Sequence, residues 1–234
     1  MNSKVNIVEI FESIQGEGRY VGVRQLFVRV AGCPLKCPYC DTDHAAKESF
    51  TLNGVEYKNP VTSDSLVKIL NKQFNLSEYH SISFTGGEPL LYPLFLKEIA
   101  EGIKSDGSGV KLFLETSGHH PKHILDIAPY FDYISVDLKT CIKPFAAHAD
   151  NLLSALGLLH ESKVYIKLVL ELTDEEYIDI AIKYLSLYGV RTIWLQTIDN
   201  NFDMATISRW QKTVANNKIE ARFVPQIHKL LQIP

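Results

Sequence analysis

The feature that most constrains the fold is a regular alternation of short apolar segments and amphipathic segments along the chain. Strands are predicted at residues 5–11, 25–30, 80–84, 110–114, 133–138, 164–170, 192–195 and 220–224. Helices are predicted at residues 63–76, 94–104, 151–161, 173–188 and 204–214, with apolar residues at helical spacing in the first of them, and a short helix or turn is predicted at residues 124–130. Each strand–helix unit takes roughly 25 to 35 residues, which is typical of βα repeats around a parallel sheet. We therefore predict an α/β fold with parallel strands and outer helices.

Local signals add detail to this outline. Thr173, Asp174, Glu175 and Glu176 have the order of a capping box, which predicts that a helix begins there. Residues 47–60 have weak periodicity and are predicted to form a loop or a small hairpin. Neither a low-complexity segment nor a linker rich in Gly, Pro or Ser interrupts the pattern, so we expect one domain over residues 1–234.

Polar residues follow four of the predicted strands, at the points where the strands end. They lie at residues 85–88, 115–117 and 137–139 and at Gln196. In parallel α/β folds the ligand site lies at the carboxyl ends of the strands, so these positions indicate where a site would form. Loops are polar in any case, and the pattern by itself does not specify a ligand.

Three cysteines, Cys33, Cys37 and Cys40, stand in a C-x3-C-x2-C pattern directly after the second predicted strand. This spacing suits a loop curled around an iron–sulfur cluster, with each thiolate on a different iron. Such clusters usually take four thiolates, so three leave one iron open to a ligand. The alternative is a structural zinc loop completed by a distant ligand such as His44, although zinc sites more often use C-x2-C pairs.

Composition restricts the class of protein. The chain has 234 residues and a formal net charge of -3, so no broad basic surface for nucleic acid is expected. Three of the four cysteines lie in one motif, which favours a reducing compartment, and the fourth, Cys141, is expected to be a free thiol. The chain shows no apolar run long enough for a membrane span and no signal-peptide pattern, so we expect a cytoplasmic protein.

These motifs resemble those of the radical S-adenosylmethionine (SAM) superfamily. Its cysteine signature matches Cys33, Cys37 and Cys40, with the aromatic Tyr39 before the last cysteine, and its Gly-Gly-Glu-Pro element matches residues 86–89. The chain is similar in particular to the 7-carboxy-7-deazaguanine synthase family. That similarity is carried by residues 13–18, 27–33, 40–42, 115–118 and 226–229, and so spans almost the whole chain.

The resemblance implies a partial (β/α) barrel of the radical SAM type and a lyase activity. Members of the family convert 6-carboxy-5,6,7,8-tetrahydropterin to 7-carboxy-7-deazaguanine with loss of ammonia, on the route to queuosine and related 7-deazapurines. The implied cofactors are a 4Fe-4S cluster, SAM and Mg²⁺, and a 5′-deoxyadenosyl radical from SAM takes a hydrogen from the substrate. The implied partners are the small-molecule pterin, an electron donor such as flavodoxin or ferredoxin, and a second copy in a homodimer.

The resemblance also assigns ligand-binding residues, and no catalytic residue beyond them. The three cysteines would hold the cluster, and the Thr42 hydroxyl would bind Mg²⁺. SAM would be lined by Tyr39, Cys40, Asp41, Gly87, Asp137, Lys139, Gln196, Thr197, Ile198 and Asp199. The pterin would be contacted by Ile14, Gln15, Gly16, Arg29, Thr85 and Pro234.

Several assignments have competing explanations. Many relatives have Ser-Pro-Lys where this chain has Asp137-Leu138-Lys139, which puts the role of Asp137 in doubt. Arg29 lies in an apolar strand and needs a partner, which is either the substrate carboxylate or a structural carboxylate. Thr42 is alternatively a turn or helix cap. The carboxylate of Pro234 either binds the pterin amidine or belongs to a frayed terminus, and His228 either acts in the pocket or forms a structural hydrogen bond.

Two other functions share part of the pattern. A radical SAM activase, which forms a glycyl radical on a partner protein, shares the cysteine and Gly-Gly-Glu-Pro elements. It does not require the loop at residues 15–18, Arg29, or the Gln-x-His-Lys element at residues 226–229. A zinc-stabilised RNA-binding module is the non-enzymatic alternative, and the acidic charge balance disfavours it.

Overall fold

The structure is a computed structural model that describes residues 2–40 and 42–234. Its strands are β1 (Lys4–Val5), β2 (Ile7–Ile14), β3 (Arg24–Val30), β4 (Ser49–Leu52), β5 (Val55–Lys58), β6 (Val61–Thr62), β7 (Ser81–Gly86), β8 (Lys111–Thr116), β9 (Tyr133–Lys139), β10 (Val164–Leu170), β11 (Thr192–Thr197) and β12 (Glu220–Phe223). Its α-helices are α1 (Ser63–Gln73), α2 (Pro93–Ser105), α3 (Pro121–Ile127), α4 (Phe145–Leu156), α5 (Glu175–Leu187), α6 (Met204–Asn216) and α7 (Ile227–Leu231).

The fold is organised around an eight-stranded sheet with the order β12-β11-β10-β9-β8-β7-β3-β2. The seven strands from β12 to β3 are parallel, and β2 pairs antiparallel with β3. Helices α1 to α6 pack one against the next around the outside. Within the described residues no pairing joins β2 to β12, so the barrel is partial. The predicted α/β fold class is confirmed, and residues 47–60 form the predicted hairpin, β4–β5.

Side chains on the central strands alternate between the helices and the interior of the curved sheet. On β10, Ile166 and Leu168 belong to the main hydrophobic core, whereas Tyr165 packs in a second, smaller cluster and Lys167 forms ion pairs inside the barrel. This two-residue period is the normal geometry of a strand. It allows the apolar residues that drive folding and the polar residues of a site to share the same short segments.

An aromatic layer closes the lower part of the barrel. It consists of Phe113, Tyr165 and Trp194 from β8, β10 and β11, packed against Tyr20 and Tyr133. The Tyr20 and Tyr133 rings lie 4.5 Å apart, and the Tyr165 and Trp194 rings lie 5.1 Å apart. Two residues further along β8, β9, β10 and β11 the inward residue is polar, namely Glu115, Ser135, Lys167 and Gln196. The polar layer therefore begins directly above an apolar floor, on the side of the strands' carboxyl ends.

Helix α4 differs from its predicted bounds of residues 151–161. It begins at Phe145, directly after Pro144, and ends at Leu156, before Gly157. Phe145 and Ala149 are buried in the first half of this helix, which extends the apolar face beyond the segment recognised from the sequence. The remaining predicted strands and helices are present, with small shifts at their ends.

The predicted capping box at α5 is wrong. Asp174, and not Thr173, occupies the N-cap position, and it makes no side-chain cap hydrogen bond. Its carboxylate instead accepts hydrogen bonds from the Glu171 backbone N–H at 2.9 Å and from the Thr140 hydroxyl at 2.6 Å. A tertiary contact has taken the place of the local cap, because Asp174 lies beside the loop that follows β9. Within the part of the chain that the structure describes, no helix is both long enough and apolar enough to span a membrane.

His148 on α4 gives the fold a predicted dependence on pH. Burial, together with the charge of nearby His119, lowers the pKa of His148 to about 4, below the value of about 6.5 for an exposed histidine. The unfolded chain therefore binds a proton near pH 6.5 that the folded protein binds only near pH 4, and stability falls as the pH decreases across this interval. We expect His148→Gln to reduce the fall in melting temperature between these pH values. Exposed His160→Gln is the control, and an unchanged pH dependence in His148→Gln would contradict the prediction.

Candidate active site

One cavity lies at the carboxyl ends of the parallel strands and brings most of the predicted site together. The predicted residues that line it are Ile14, Gln15, Gly16, Arg29, Cys33, Cys37, Tyr39, Cys40, Thr42, Thr85, Gly87, Asp137, Lys139, Gln196, Ile198, Asp199 and Pro234. They come from both ends of the chain and from strands β2, β3, β7, β9 and β11. The strand ends predicted the proximity of the residues at positions 85–87, 137–139 and 196, and the family resemblance predicted the others.

Two predicted residues stand apart from this set. Asp41 lies outside the described residues. Thr197 does not line the cavity, although its neighbour Gln196 does, because successive side chains on β11 face opposite sides of the sheet. The contact of Thr197 with SAM stays a prediction.

The cysteine loop supplies three free thiols to the cavity, Cys33, Cys37 and Cys40. Among the described residues, no three His, Cys, Asp or Glu side chains converge closely enough to hold one metal ion. The thiolates of an iron–sulfur cluster bind different irons and need not converge on one point. Three thiols on one wall of an open cavity therefore fit a cluster that keeps one iron accessible.

The isolated cysteine of the sequence, Cys141, is next to this loop in space. Its Sγ lies 3.5 Å from Cys37 Sγ and 3.2 Å from the Tyr39 hydroxyl. Cys141 follows Lys139 by two residues, in the loop after β9. The sequence correctly predicted a free thiol, but sequence separation concealed its position beside the motif.

The Gly-Gly-Glu-Pro element is seated directly against the cysteine loop. The Gly87 N–H donates to the Val30 carbonyl at 2.9 Å, and the Glu88 N–H donates to the Gly32 carbonyl at 2.8 Å. A Cβ atom at Gly87 would overlap the backbone of Gly32, so the close approach requires glycine at this position. The element thereby fixes the height of the cysteine loop above strands β3 and β7.

The Glu88 carboxylate is fully buried and joins this element to the end of β8. One oxygen accepts from the Leu90 N–H at 3.0 Å and the Thr116 hydroxyl at 2.6 Å. The other oxygen accepts from the N–H and the hydroxyl of Ser117, at 2.8 and 2.5 Å. Four donors thus satisfy a buried charge that would otherwise be costly. Glu88 connects the Gly-Gly-Glu-Pro and Glu-Thr-Ser-Gly motifs that the sequence analysis identified separately.

Charged and polar groups from β9 and β11 form another wall. Asp137 Oδ2 lies 3.4 Å from Lys139 Nζ. Burial lowers the pKa of Lys139, but the charges of Asp137 and Cys37 outweigh this effect and hold the pKa above its ordinary value. Gln196 Oε1 is buried and, within the described residues, accepts no hydrogen bond. The Lys139 cation suits a ligand with a carboxylate, and the Gln196 oxygen suits a ligand with N–H or O–H donors. SAM has both kinds of group.

Arg29 lines the opposite wall and already has a structural partner. Its Nε lies 2.7 Å from Glu9 Oε1, and its Nη1 donates to the Thr42 hydroxyl at 3.2 Å. The Phe11 ring lies 5.2 Å from the guanidinium carbon. The structural carboxylate considered in the sequence analysis is therefore present, but Glu9 is half exposed, and Arg29 still faces the cavity.

The Gln15 side chain is buried and hydrogen-bonds to three neighbouring residues. Its side-chain N–H groups donate to Gln25 Oε1 at 3.0 Å and to Glu115 Oε1 at 2.9 Å, and its oxygen accepts from the Glu17 N–H at 3.0 Å. Both side-chain donors are therefore used within the protein. Burial raises the pKa of Glu115 above its ordinary value. A carboxyl group of this kind at the cavity wall is suited to exchange a proton with a ligand.

The C-terminal segment closes the cavity over the loop at residues 15–18. The Ile227 N–H donates to the Gly16 carbonyl at 2.9 Å, and a Cβ at Gly16 would overlap the ring of His228. Lys229 pairs with Asp199 at 2.6 Å. Glycine at position 16 therefore allows α7 to pack directly on the loop, and His228 becomes part of the cavity wall.

Pro234 is held at the edge of the same cavity. Its carbonyl oxygen accepts a hydrogen bond from the Ser13 hydroxyl at 2.8 Å, and the Ile233 N–H donates to the His228 carbonyl at 3.1 Å. Pro234 therefore lies at the cavity, and its contact with the pterin stays a prediction.

Comparisons with known proteins agree with this geometry. Residues 27–181 match the model of the radical SAM superfamily. The 7-carboxy-7-deazaguanine synthase of Methanocaldococcus jannaschii is 37% identical over 207 residues, which cover 82% of each chain. That of Methanopyrus kandleri is 32% identical over 97% of this chain and 93% of its own. The chain belongs to the 7-carboxy-7-deazaguanine synthase family of the radical SAM superfamily.

Other similar proteins differ in their sequence identity to this chain and in the share of their length that it covers. The family member from Methanothermobacter thermautotrophicus is 45% identical over 149 residues, so this chain spans about half (53%) of that relative's length. The crystal structure of QueE from Escherichia coli matches with a TM-score of 0.67 and 25% identity, over 96% of this chain and 95% of the other. Streptococcus suis SuiB bound to S-adenosylmethionine matches at 16% identity with a TM-score of 0.53, over 82% of this chain and 48% of its own, which shows the shared fold alone.

Several residues that the structure places in or under the site had no role predicted from the sequence. Glu17, Glu115 and Gln226 line the cavity, and Lys167 lies beneath it. A signal for Lys167 was available, because it is a charged residue inside the apolar strand at residues 164–170. The same signal identified Arg29. Glu17 gave no such signal, since a carboxylate in a polar loop is normally exposed.

Loss of the Glu88 hydrogen bonds is expected to destabilise the protein. In Glu88→Gln, an NH2 group replaces one carboxylate oxygen and faces hydrogen-bond donors, which leaves buried groups unpaired. We expect the free energy of unfolding of the cluster-free protein to fall by about 2 to 4 kcal/mol, measured by urea denaturation. Glu101→Gln on the exposed side of α2 is the control. Equal stability of the two variants would contradict the role assigned to Glu88.

Proposed function

We propose that the protein is a 7-carboxy-7-deazaguanine synthase, which converts 6-carboxy-5,6,7,8-tetrahydropterin to 7-carboxy-7-deazaguanine with loss of ammonia. The observation that carries the proposal is the meeting of the cysteine loop, the loop at residues 15–18, Arg29 and the segment at residues 226–234 around one cavity. A glycyl-radical activase requires the first of these but not the other three. Their convergence therefore favours a small pterin over a partner protein as substrate.

Cys33, Cys37 and Cys40 would hold the 4Fe-4S cluster and leave its fourth iron open to SAM. When bound, the cluster and SAM supply the one-electron chemistry that removes a hydrogen atom from the substrate. Lys139 is the half-buried cation suited to the SAM carboxylate, and Gln196 Oε1 is the acceptor suited to its N–H or hydroxyl donors. The aromatic layer below the site excludes water from that side.

The pterin would lie between Arg29 and the loop at residues 15–18. Arg29 offers a guanidinium to the pterin carboxylate, supported by Glu9 and the Phe11 ring. Glu17 and Glu115 place acceptor oxygens along the other side, where N–H groups of the pterin need partners. Glu115, with its raised pKa, is the group suited to hold or release a proton during the loss of ammonia.

Thr42 is proposed as a Mg²⁺ ligand. It lines the cavity 3.2 Å from Arg29 Nη1, and therefore beside the place proposed for the pterin carboxylate. Mg²⁺ keeps several waters and is often bound by one or two protein oxygens together with a substrate group, so one hydroxyl is a sufficient protein contribution.

The remaining assignments concern organisation and partners. One domain over residues 1–234 is supported by the single central sheet and its continuous main core. A homodimer and an electron donor such as flavodoxin or ferredoxin are carried over from the family. A reducing, cytoplasmic location is supported by the free state of the four cysteines.

A product assay tests the proposed reaction directly. The iron-loaded protein, with reductant and SAM, is expected to convert 6-carboxy-5,6,7,8-tetrahydropterin to 7-carboxy-7-deazaguanine, detected by mass spectrometry. Removal of Mg²⁺ by chelation is expected to lower the rate, and Thr42→Val is expected to weaken that dependence on Mg²⁺. Cleavage of SAM without any deazaguanine product would instead favour another radical SAM activity.

Iron content tests the assignment of the cluster ligands. Replacement of Cys33, Cys37 or Cys40 with Ala is expected to reduce bound iron from about 4 per chain to below about 1 and to abolish product formation. Cys141→Ser is the matched control, because Cys141 touches the loop but lies outside the motif, and it is expected to retain iron. Full iron content in all three alanine variants would overturn the assignment.

A further inference from the structure

Lys167 is a charged side chain in the interior of the barrel, with only 1% of its surface exposed. It lies in the middle of β10, one inward position above Tyr165 of the aromatic layer. Its Nζ forms an ion pair with Glu17 and lies 2.9 Å from Asp137 Oδ1. A lysine at this depth requires compensation, because an unpaired buried ammonium group is strongly destabilising.

The two carboxylates keep Lys167 charged. Burial lowers its pKa, but the negative charges of Asp137, Glu17 and Glu115 outweigh burial and raise the pKa well above its ordinary value. The surrounding carboxylates therefore favour the charged form of the lysine. Its two partners come from different parts of the chain, since Glu17 follows β2 and Asp137 lies on β9.

The partners also face different parts of the cavity. Glu17 lies in the loop at residues 15–18, and its second oxygen accepts from Gln226 Nε2 at 2.8 Å. Asp137 lies on the wall with Lys139, whose Nζ is 3.4 Å from its second oxygen. Both carboxylates line the cavity, whereas Lys167 is absent from its lining. One buried cation therefore touches both walls without reaching a ligand itself.

We propose that Lys167 is a positioning residue that couples the pterin side of the site to the SAM side through Glu17 and Asp137. This inference rests on the proposed function, because it uses the assignment of the two walls to the two ligands. Lys167 fixes Glu17 as an ionised acceptor for pterin N–H groups. It also forms an ion pair with Asp137. Lys139 is then not the only cation beside Asp137 and remains available to the carboxylate of SAM.

The charges around Glu17 show what the loss of Lys167 would change. The titratable and polar groups that face or influence Glu17 are Lys167 and Tyr165 on β10, Glu115 on β8, Asp137 on β9, Gln226 before α7 and His228 on α7. Burial raises the pKa of Glu17, but Lys167 and Gln226 together lower it to about 2. Without the cation, burial and the neighbouring carboxylates would raise the pKa of Glu17, and protonation would remove an acceptor from the site.

The main test compares Lys167→Met with wild type in iron-loaded protein. We expect the KM for the pterin to rise about tenfold or more, since removing one partner of a buried ion pair strongly perturbs the other. In the pH profile of kcat/KM for the pterin, the acid limb is expected to move to higher pH. Lys163→Met is the matched control, because Lys163 is a half-buried lysine whose ammonium donates to the Ala128 carbonyl at 2.6 Å, away from the cavity. This control is expected to leave the pterin KM and the acid limb unchanged.

Double-variant cycles separate positioning from general structural damage. If Lys167 acts through Glu17, then Lys167→Met in a Glu17→Gln background should raise the pterin KM by less than about threefold further. On the other wall, Lys167→Met should weaken SAM binding, measured by equilibrium dialysis, because the unpaired Asp137 then draws Lys139 to itself. In an Asp137→Asn background this second effect should largely disappear. Additive effects in both cycles would overturn the proposal.

Two further outcomes are failure of Lys167→Met to fold and failure of the wild-type protein to form product. If Lys167→Met does not fold, Lys167→Arg retains the cation and is expected to keep the acid limb of wild type, and a shift of that limb would contradict the proposal. If wild-type protein forms no deazaguanine product, the proposed function fails. The SAM-binding cycle with Asp137→Asn does not require turnover, so it still tests the coupling of Lys167 to the SAM side.

Discussion

A strand can present only alternate residues to each face of its sheet, and the whole site depends on this constraint. On β8 to β11 most of the outward residues are apolar and pack beneath the helices. The inward residues change from aromatic to polar toward the carboxyl ends of the strands. These strands are parallel but staggered: Tyr165 pairs with Ser135, and Trp194 pairs with Lys167, so the change from aromatic to polar residues steps along from one strand to the next. An apolar floor with a polar layer directly above it is the result, and ionic interactions are stronger there than they are at an exposed surface.

The buried charges of this layer are compensated in two different ways. Glu88 is satisfied by hydrogen-bond donors from Leu90, Thr116 and Ser117, which hold it in one position and join two loops. Glu17 and Asp137 are compensated by Lys167, a cation that is out of contact with the cavity. The first arrangement provides a rigid support for the cysteine loop. The second leaves carboxylate oxygens at the cavity wall, where they remain able to meet a ligand.

The sequence predicted the cofactor side of the site better than the substrate side. The cysteine motif and the Gly-Gly-Glu-Pro element act through short segments whose spacing is visible in the chain, and the comparisons confirm the family to which these motifs point. Arg29 could be recognised as a buried cation, but its contact with Glu9 depends on the antiparallel pairing of β2 with β3. Thr197 was assigned with its neighbours because a sequence range does not distinguish the two faces of β11. Asp174 was interpreted as part of a local helix cap. In the structure its carboxylate instead accepts a hydrogen bond from Thr140, which is distant in the chain.

By itself, the sequence determined the order of strands and helices, the parallel α/β fold class, the cysteine loop and the family. These properties follow from hydrophobic periodicity and from motifs a few residues long, which are local. Only the tertiary structure decided which groups share a buried charge. Lys167 and Glu17 are far apart in the chain, as are Cys37 and Cys141, and they meet because the sheet curves and the C-terminal segment packs over the loop at residues 15–18. The energy of such contacts depends on burial and on distances of a few ångströms, and neither is encoded at any single position of the chain.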